Sequence, residues 1–164
     1  MNTTTFDMFE KLALDQSVLE TDSRMVGTDQ QRFYLHLING RTVQFEVDGN
    51  DFLTTVWEEW DEEDEGNFTF QEVTPLNEAE KWIKELAQGE FTVRFTEHAE
   101  TTPNGQTRQY AEVTNNTGDE IGWIVWLTDN AEEFEPELYA EAAREYGWEL
   151  SNITPQGATA HLAK

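Results

Sequence analysis

The chain has no cysteine among its 164 residues. That excludes disulfides, thiolate-bound metals and cysteine nucleophiles. Basic residues are scarce as well. Ten Lys and Arg stand against 34 Asp and Glu, a formal net charge of −24. No basic patch is visible, so direct binding of DNA or RNA is not expected. There are three Ser and three His (His36, His98 and His161). None sits in a nucleophile-elbow setting, and the His residues lack metal-ligand spacing. Neither a glycine-rich phosphate loop nor a dinucleotide fingerprint occurs. With so many carboxylates, no glycosidase-type acid pair stands out. The expectation is a protein without enzymatic activity and without a cofactor. No apolar run approaches the length of a membrane span, and Met1 to Gln16 lacks a basic n-region. The sequence therefore predicts a cytoplasmic protein that does not engage membranes. Four Asn-x-Thr sequons, at Asn2, Asn67, Asn115 and Asn152, read as accidents in a chain with 20 Thr.

What is present is enough to fold. Hydrophobic residues make up 37%, with ten Phe and six Trp, so global disorder is not expected despite the charge. The length fits one compact domain over 1–164. If there are two lobes, the seam lies near Gln88-Gly89.

Periodicity places the elements. Phe6, Phe9, Leu12, Ala13 and Leu19 fall near helical spacing, and Thr21 to Gln31 reads as a polar loop. Phe33, Leu35 and Leu37 alternate with polar residues, as do Val43, Phe45 and Val47. Asn39-Gly40 between them predicts a hairpin with a type I′ turn. Asp51 then reads as the N-cap of a helix bearing Phe52, Leu53, Val56, Trp57 and Trp60. Phe68 and Phe70 suggest a strand to Val73. Asn77 reads as the cap of a helix with Ala79, Trp82, Ile83 and Leu86 on one face.

The second half reads as an antiparallel meander: Phe91–Glu97, Thr107–Thr114 and Ile121–Thr128, with turns at Pro103-Asn104-Gly105 and Asn115 to Gly118. The third of these strands is apolar on both faces and is expected to be central and covered on both sides. A helix from about Pro136 to Tyr146 presents Leu138, Tyr139, Ala142, Ala143 and Tyr146. One or two short strands should follow, around Pro155 and Gly157. The fold class is α+β, with a mixed or mainly antiparallel sheet and three to four helices.

Three patterns bear on function. Asp61-Glu62-Glu63-Asp64-Glu65-Gly66 begins a 12-residue stretch that resembles an EF-hand calcium loop. Asp61, Glu63, Glu65 and Glu72 fall at ligand positions and Gly66 at the turn. The resemblance implies a calcium-binding module. Glu63 and Glu65 depart from the usual Asp or Asn, and Pro75 stands where an exit helix would run. Secondly, the hairpin and predicted helix at 31–60 are similar to the start of a β-grasp, ubiquitin-like module, which implies an interaction adaptor.

The third pattern is the acidic surface itself. Glu58, Glu59, Asp61, Glu62, Glu63, Asp64 and Glu65 put seven carboxylates beside Trp57 and Trp60, aromatic types common at interface hot spots. Glu137, Glu141 and Glu145, spaced i, i+4, i+8, form a helix stripe, joined by Glu132, Glu133 and Glu135. Such charge serves solubility, high-salt adaptation or recognition of a basic surface. Duplex DNA carries one charge per roughly 1.7 Å, so about 24 charges span about 41 Å. That is close to the ~40 Å diameter of a compact chain of this length. In composition the chain is similar to the DNA-mimic inhibitors with which phages and mobile elements counter restriction or CRISPR systems. The resemblance implies a basic, nucleic-acid-binding protein as partner.

Overall fold

The computed structural model describes residues 4–28, 30–60 and 67–163. Within them, three α-helices accompany ten strands, which form two five-stranded antiparallel sheets. The class is α+β. The chain divides into two compact units, residues 1–88 and 89–164.

The first unit opens with helix α1 (Thr5–Leu12). The Thr4 hydroxyl accepts from the Asp7 N–H at 3.1 Å, and the Asp7 carboxylate accepts from the Thr4 N–H. That reciprocal pair satisfies donors a helix start otherwise leaves open. Strand β1 (Val18–Val26) follows, where the sequence predicted a loop. Leu19 therefore belongs to a strand and not to the first helix. Most β1 side chains are exposed or half-buried. It is an outer strand held by backbone pairing with β2 (Gln30–Leu37), so it lacks the apolar alternation that reveals half-buried strands.

β2 and β3 (Thr42–Asp48) form the expected hairpin, with a wider turn. The Leu37 N–H donates to the Arg41 carbonyl at 2.7 Å, and the Gly40 N–H donates to that of Leu37 at 3.0 Å. Gly40 has φ 93°, but Asn39 is not among the residues with positive φ, so the turn is not type I′. Asn39 does other work. Its side-chain amide donates to the carbonyls of Leu86 at 2.7 Å and Gln88 at 3.0 Å, tying the turn to the end of α2 (Ala79–Leu86).

The helix expected from Asp51 is strand β4 (Asp51–Trp57). Gly49, at φ 61°, and Asn50 make a two-residue turn that sets Asp48 opposite Asp51. Phe52, Thr54 and Val56 are buried, with half-buried Leu53 and Thr55 between them. That is a period of two, and β-branched Thr54, Thr55 and Val56 favour it over helix. The chain thus continues as a meander, ordered β1-β2-β3-β4-β5, and the likeness to a β-grasp start fails. β5 runs Phe70–Pro75, and a 3-10 turn, Leu76–Glu78, leads into α2. Asn77 lies inside that turn and does not cap the helix, whose N-cap is Glu78. Both helices cover the same sheet face. Phe9 of α1 lies 4.7 Å from Phe33, and Trp82 of α2 donates to the Thr54 hydroxyl at 3.2 Å. Phe33, Leu35, Val43, Phe45, Phe52 and Val56 form the core on that face.

The second unit contains the expected meander: β6 (Phe91–Thr101), β7 (Thr107–Thr114) and β8 (Glu120–Thr128). Helix α3 (Pro136–Glu145) starts with Pro at its first turn. β9 (Trp148–Ser151) and β10 (Gly157–Leu162) close the unit, in the order β8-β7-β6-β10-β9. Tyr139 of α3 sits 5.0 Å from both Phe95 and Trp126. Tyr146, read from sequence as part of the helix's apolar face, lies past its last turn and is exposed. β8 corrects a second expectation, because it is an outer strand and not a central one. Ile124 and Trp126 are buried, while Trp123 and Leu127 stay 41% and 44% exposed. Its other apolar face is thus open, where the sequence placed a second cover.

Candidate functional site

The acidic residues divide between the units. Residues 1–88 hold 20 carboxylates against six bases, and residues 89–164 hold 14 against four. The local charges are −14 and −10, so neither unit is a neutral carrier for the other's charge. Several bases are already engaged. Arg41 forms a two-pronged pair with Glu58 at 2.9 and 3.1 Å. Arg94 pairs with Glu112 at 2.7 Å, Lys11 with Glu80 at 3.2 Å, and Arg108 with Glu100 at 3.5 Å.

In the first unit, the expected interface begins at the end of β4. Trp57 is 2% exposed and belongs to the interior, so it is not a surface anchor. Its ring meets Trp60 edge-on at 4.8 Å, and Trp60 lies 5.0 Å from buried Tyr34 and 6.3 Å from His36. The Arg24 guanidinium stands over the Tyr34 and Trp60 rings at 5.7 and 5.6 Å, within cation–π range. Trp60, half-buried, is held by this cluster. Glu58 is exposed but bound to Arg41, while Glu59 is exposed. Asp61, Glu62, Glu63, Asp64, Glu65 and Gly66 lie outside the described residues.

Glu72, the last position of the calcium-loop resemblance, is an exposed residue of β5, opposite Thr54 of β4. Strands, not helices, therefore flank that loop. An EF-hand positions its ligands between two helices, and that frame is absent. Trp57 accordingly lies on a strand and not on an entering helix. No cluster of His, Asp and Glu able to hold a metal occurs among the described residues.

In the second unit the stripe stands as expected. Glu137, Glu141 and Glu145 are all exposed, opposite buried Tyr139, Ala142 and Ala143. The approach to α3 adds exposed Glu132 and Glu133. Glu135 is half-buried, and its carboxylate accepts from the Thr128 hydroxyl at 2.7 Å. That bond ties it to the end of β8, so it positions the segment and does not face outward with the others. The Tyr139 hydroxyl donates to the Glu133 carbonyl at 3.1 Å and anchors the same segment. From Asp129 to Glu149 the chain carries eight carboxylates and one base, Arg144. Most of the second unit's charge thus lies in one helix and its entry.

A cluster that sequence reasoning did not assemble sits where β6 bulges between Phe95 and Ala99. The Tyr110 hydroxyl donates to the Glu100 carboxylate at 2.9 Å, and His98 Nε2 lies 3.2 Å from it. The Tyr110 hydroxyl first, and then His98, hold the Glu100 carboxyl below the ordinary carboxylate range. The bulge brings these residues together, and no spacing in the sequence signals it. His98 and Glu100 are exposed and Tyr110 is half-buried. No protein-family model, curated protein or solved structure matches the chain.

Proposed function

We propose that this is a non-enzymatic acidic protein that occupies the nucleic-acid-binding surface of a basic partner, in the manner of DNA-mimic inhibitors. The observation that carries the reading is the α3 stripe with its entry: exposed Glu132, Glu133, Glu137, Glu141 and Glu145 on a helix whose opposite face is buried through Tyr139, Ala142 and Ala143. Residues four apart on a helix rise about 6 Å, against about 3.4 Å between phosphates along one DNA strand. The stripe alone has roughly half the charge density of a strand, and the two entry carboxylates narrow the gap. Carboxylates would take the positions of phosphates at the partner's Lys and Arg side chains. Association would be fast and sensitive to salt.

The test is capture of partners from host lysate on the immobilised protein at about 50 mM and then about 500 mM salt, a range over which charge-led binding weakens steeply. A nucleic-acid-binding protein should be retained at low salt, released at high salt and displaced by duplex DNA. The variant carrying Glu137→Lys and Glu141→Lys should lose it while remaining folded. Retention that ignores both salt and charge reversal would reduce the acidic surface to a solubilising role.

A further inference from the structure

Strand β8 offers a partner something that the stripe alone does not. At the β7–β8 turn the Asn115 N–H donates to the Asp119 carbonyl at 3.0 Å. The odd-numbered residues of β7 therefore turn their peptide groups toward β8. Through the register Val113↔Gly122, Ala111↔Ile124 and Gln109↔Trp126, the even-numbered residues of β8 complete that ladder. The peptide groups of Trp123, Val125 and Leu127 face the other way, to the open edge of an outer strand. From Ile121 to Thr128 there is no charge and no proline, the usual protections of a sheet edge. Between this edge and α3 runs a groove of about 350 Å³, lined by Val125, Leu127, Leu138, Ala142, Glu141 and Glu145 among others.

We propose that β8 and α3 together form a strand-addition groove that takes an extended segment of the partner in which Lys or Arg alternates with apolar residues. The proposal rests on the reading of the protein as an occupant of a basic partner, and names how part of that partner is held. An added strand would bond to the free peptide groups of Trp123, Val125 and Leu127. Its side chains alternate between the two sheet faces. On the α3 side they meet Glu141 and Glu145, with Leu138 and Ala142 placed to cover the aliphatic stems of Lys or Arg. On the other side they lie beside exposed Trp123 and Leu127. Charge decides against a second copy of this chain. Antiparallel self-pairing would set Glu120 of one copy beside Asp129 of the other and bring a second set of Glu141 and Glu145 to the same acidic edge, and like charges across strands repel.

The probe is a ten-residue peptide alternating Lys and Val, with two analogues N-methylated at every Lys or at every Val. In an added strand, one set of peptide N–H groups faces β8 and the other faces away. One analogue should therefore lose at least about tenfold in affinity, the loss of several hydrogen bonds, while the other binds like the parent. Val125→Pro, which removes one outward N–H from an edge strand where proline is tolerated, should weaken the parent peptide by about twofold to tenfold, the loss of one hydrogen bond. Two analogues that bind like the parent would overturn strand addition, as would a folded Val125→Pro variant of unchanged affinity. If Val125→Pro does not fold, the peptide pair decides alone. Should Glu141→Gln with Glu145→Gln weaken the parent peptide while methylation does not, the charge-led function stands and the strand mode falls. If neither matters, both fall. Self-association of the protein that Val125→Pro abolishes would assign the edge to a second copy, against the proposal.

Discussion

Gly157 has no room for a side chain. It begins β10 opposite Arg94 of β6, and a Cβ there would collide with the Val93 carbonyl oxygen. Backbone cannot swing aside as a flexible side chain can. Gly157→Ala should lower stability by about 1–3 kcal/mol, the usual cost of forcing atoms into a filled space. A urea titration measures it, and a loss below about 0.5 kcal/mol, the scale of an inert surface change, would show that the β6–β10 pair shifts freely. The Glu100 cluster gives a pH prediction. Its carboxyl titrates below the ordinary range because of the Tyr110 hydroxyl first and His98 next. Its ionised form therefore stabilises the fold above the ordinary carboxylate pKa, and that contribution is lost as pH falls through the lowered value. Tyr110→Phe should return the Glu100 midpoint toward the ordinary value in a carboxyl NMR titration. An unmoved midpoint would rule out the hydroxyl as the cause.

At the scale of elements, α3 couples stability and binding in opposite directions. Glu141 lies four residues from both Glu137 and Glu145 on the same exposed face. Each such like-charged pair costs about 0.2–0.5 kcal/mol, so Glu141→Gln should gain about 0.4–1 kcal/mol. It should weaken the basic partner at the same time. Denaturant unfolding and partner titration on one variant check both, and a variant that loses stability as well would mean that the stripe is structural. The stripe was legible in the sequence because a helix with one buried face repeats every three to four residues. The meander β6-β7-β8 and the β2–β3 hairpin were legible for the analogous reason, with a period of two and turn residues between. β1 was not, since an exposed outer strand carries no apolar alternation. β4 was misread because Asp51 looks like a cap, while the Gly49-Asn50 turn decides the conformation beyond it. The pattern of β8 was read correctly and its place wrongly. Apolar residues on both faces of a strand show that both faces avoid charge, and do not show what covers them.

For the whole molecule, a charge of −24 acts on the folded state as well as on partners. Self-repulsion opposes compactness, and salt screens it. Raising NaCl from about 10 mM to about 500 mM shortens the screening length from about 30 Å to roughly 4 Å. The melting temperature should rise over that range, alike in NaCl and KCl, while partner association slows. A flat melting temperature would mean that the carboxylates are spaced widely enough for water alone to separate them. The division of charge into −14 and −10 predicts that both units contribute to the rise.

The two strand orders also set when each unit can exist during synthesis. In the first, every strand pairs with the one made just before it, and α2 ends at Leu86. Its sheet can assemble hairpin by hairpin as the chain leaves the ribosome. In the second, β6 must wait for β10, whose last residue is Leu162. At about 5–20 residues per second, the 76 residues from Gly89 to Lys164 take about 4–15 s. For those seconds the nascent chain carries a finished acidic unit ahead of an open one, and once Thr128 is added the apolar strand β8 is made while its sheet is still incomplete.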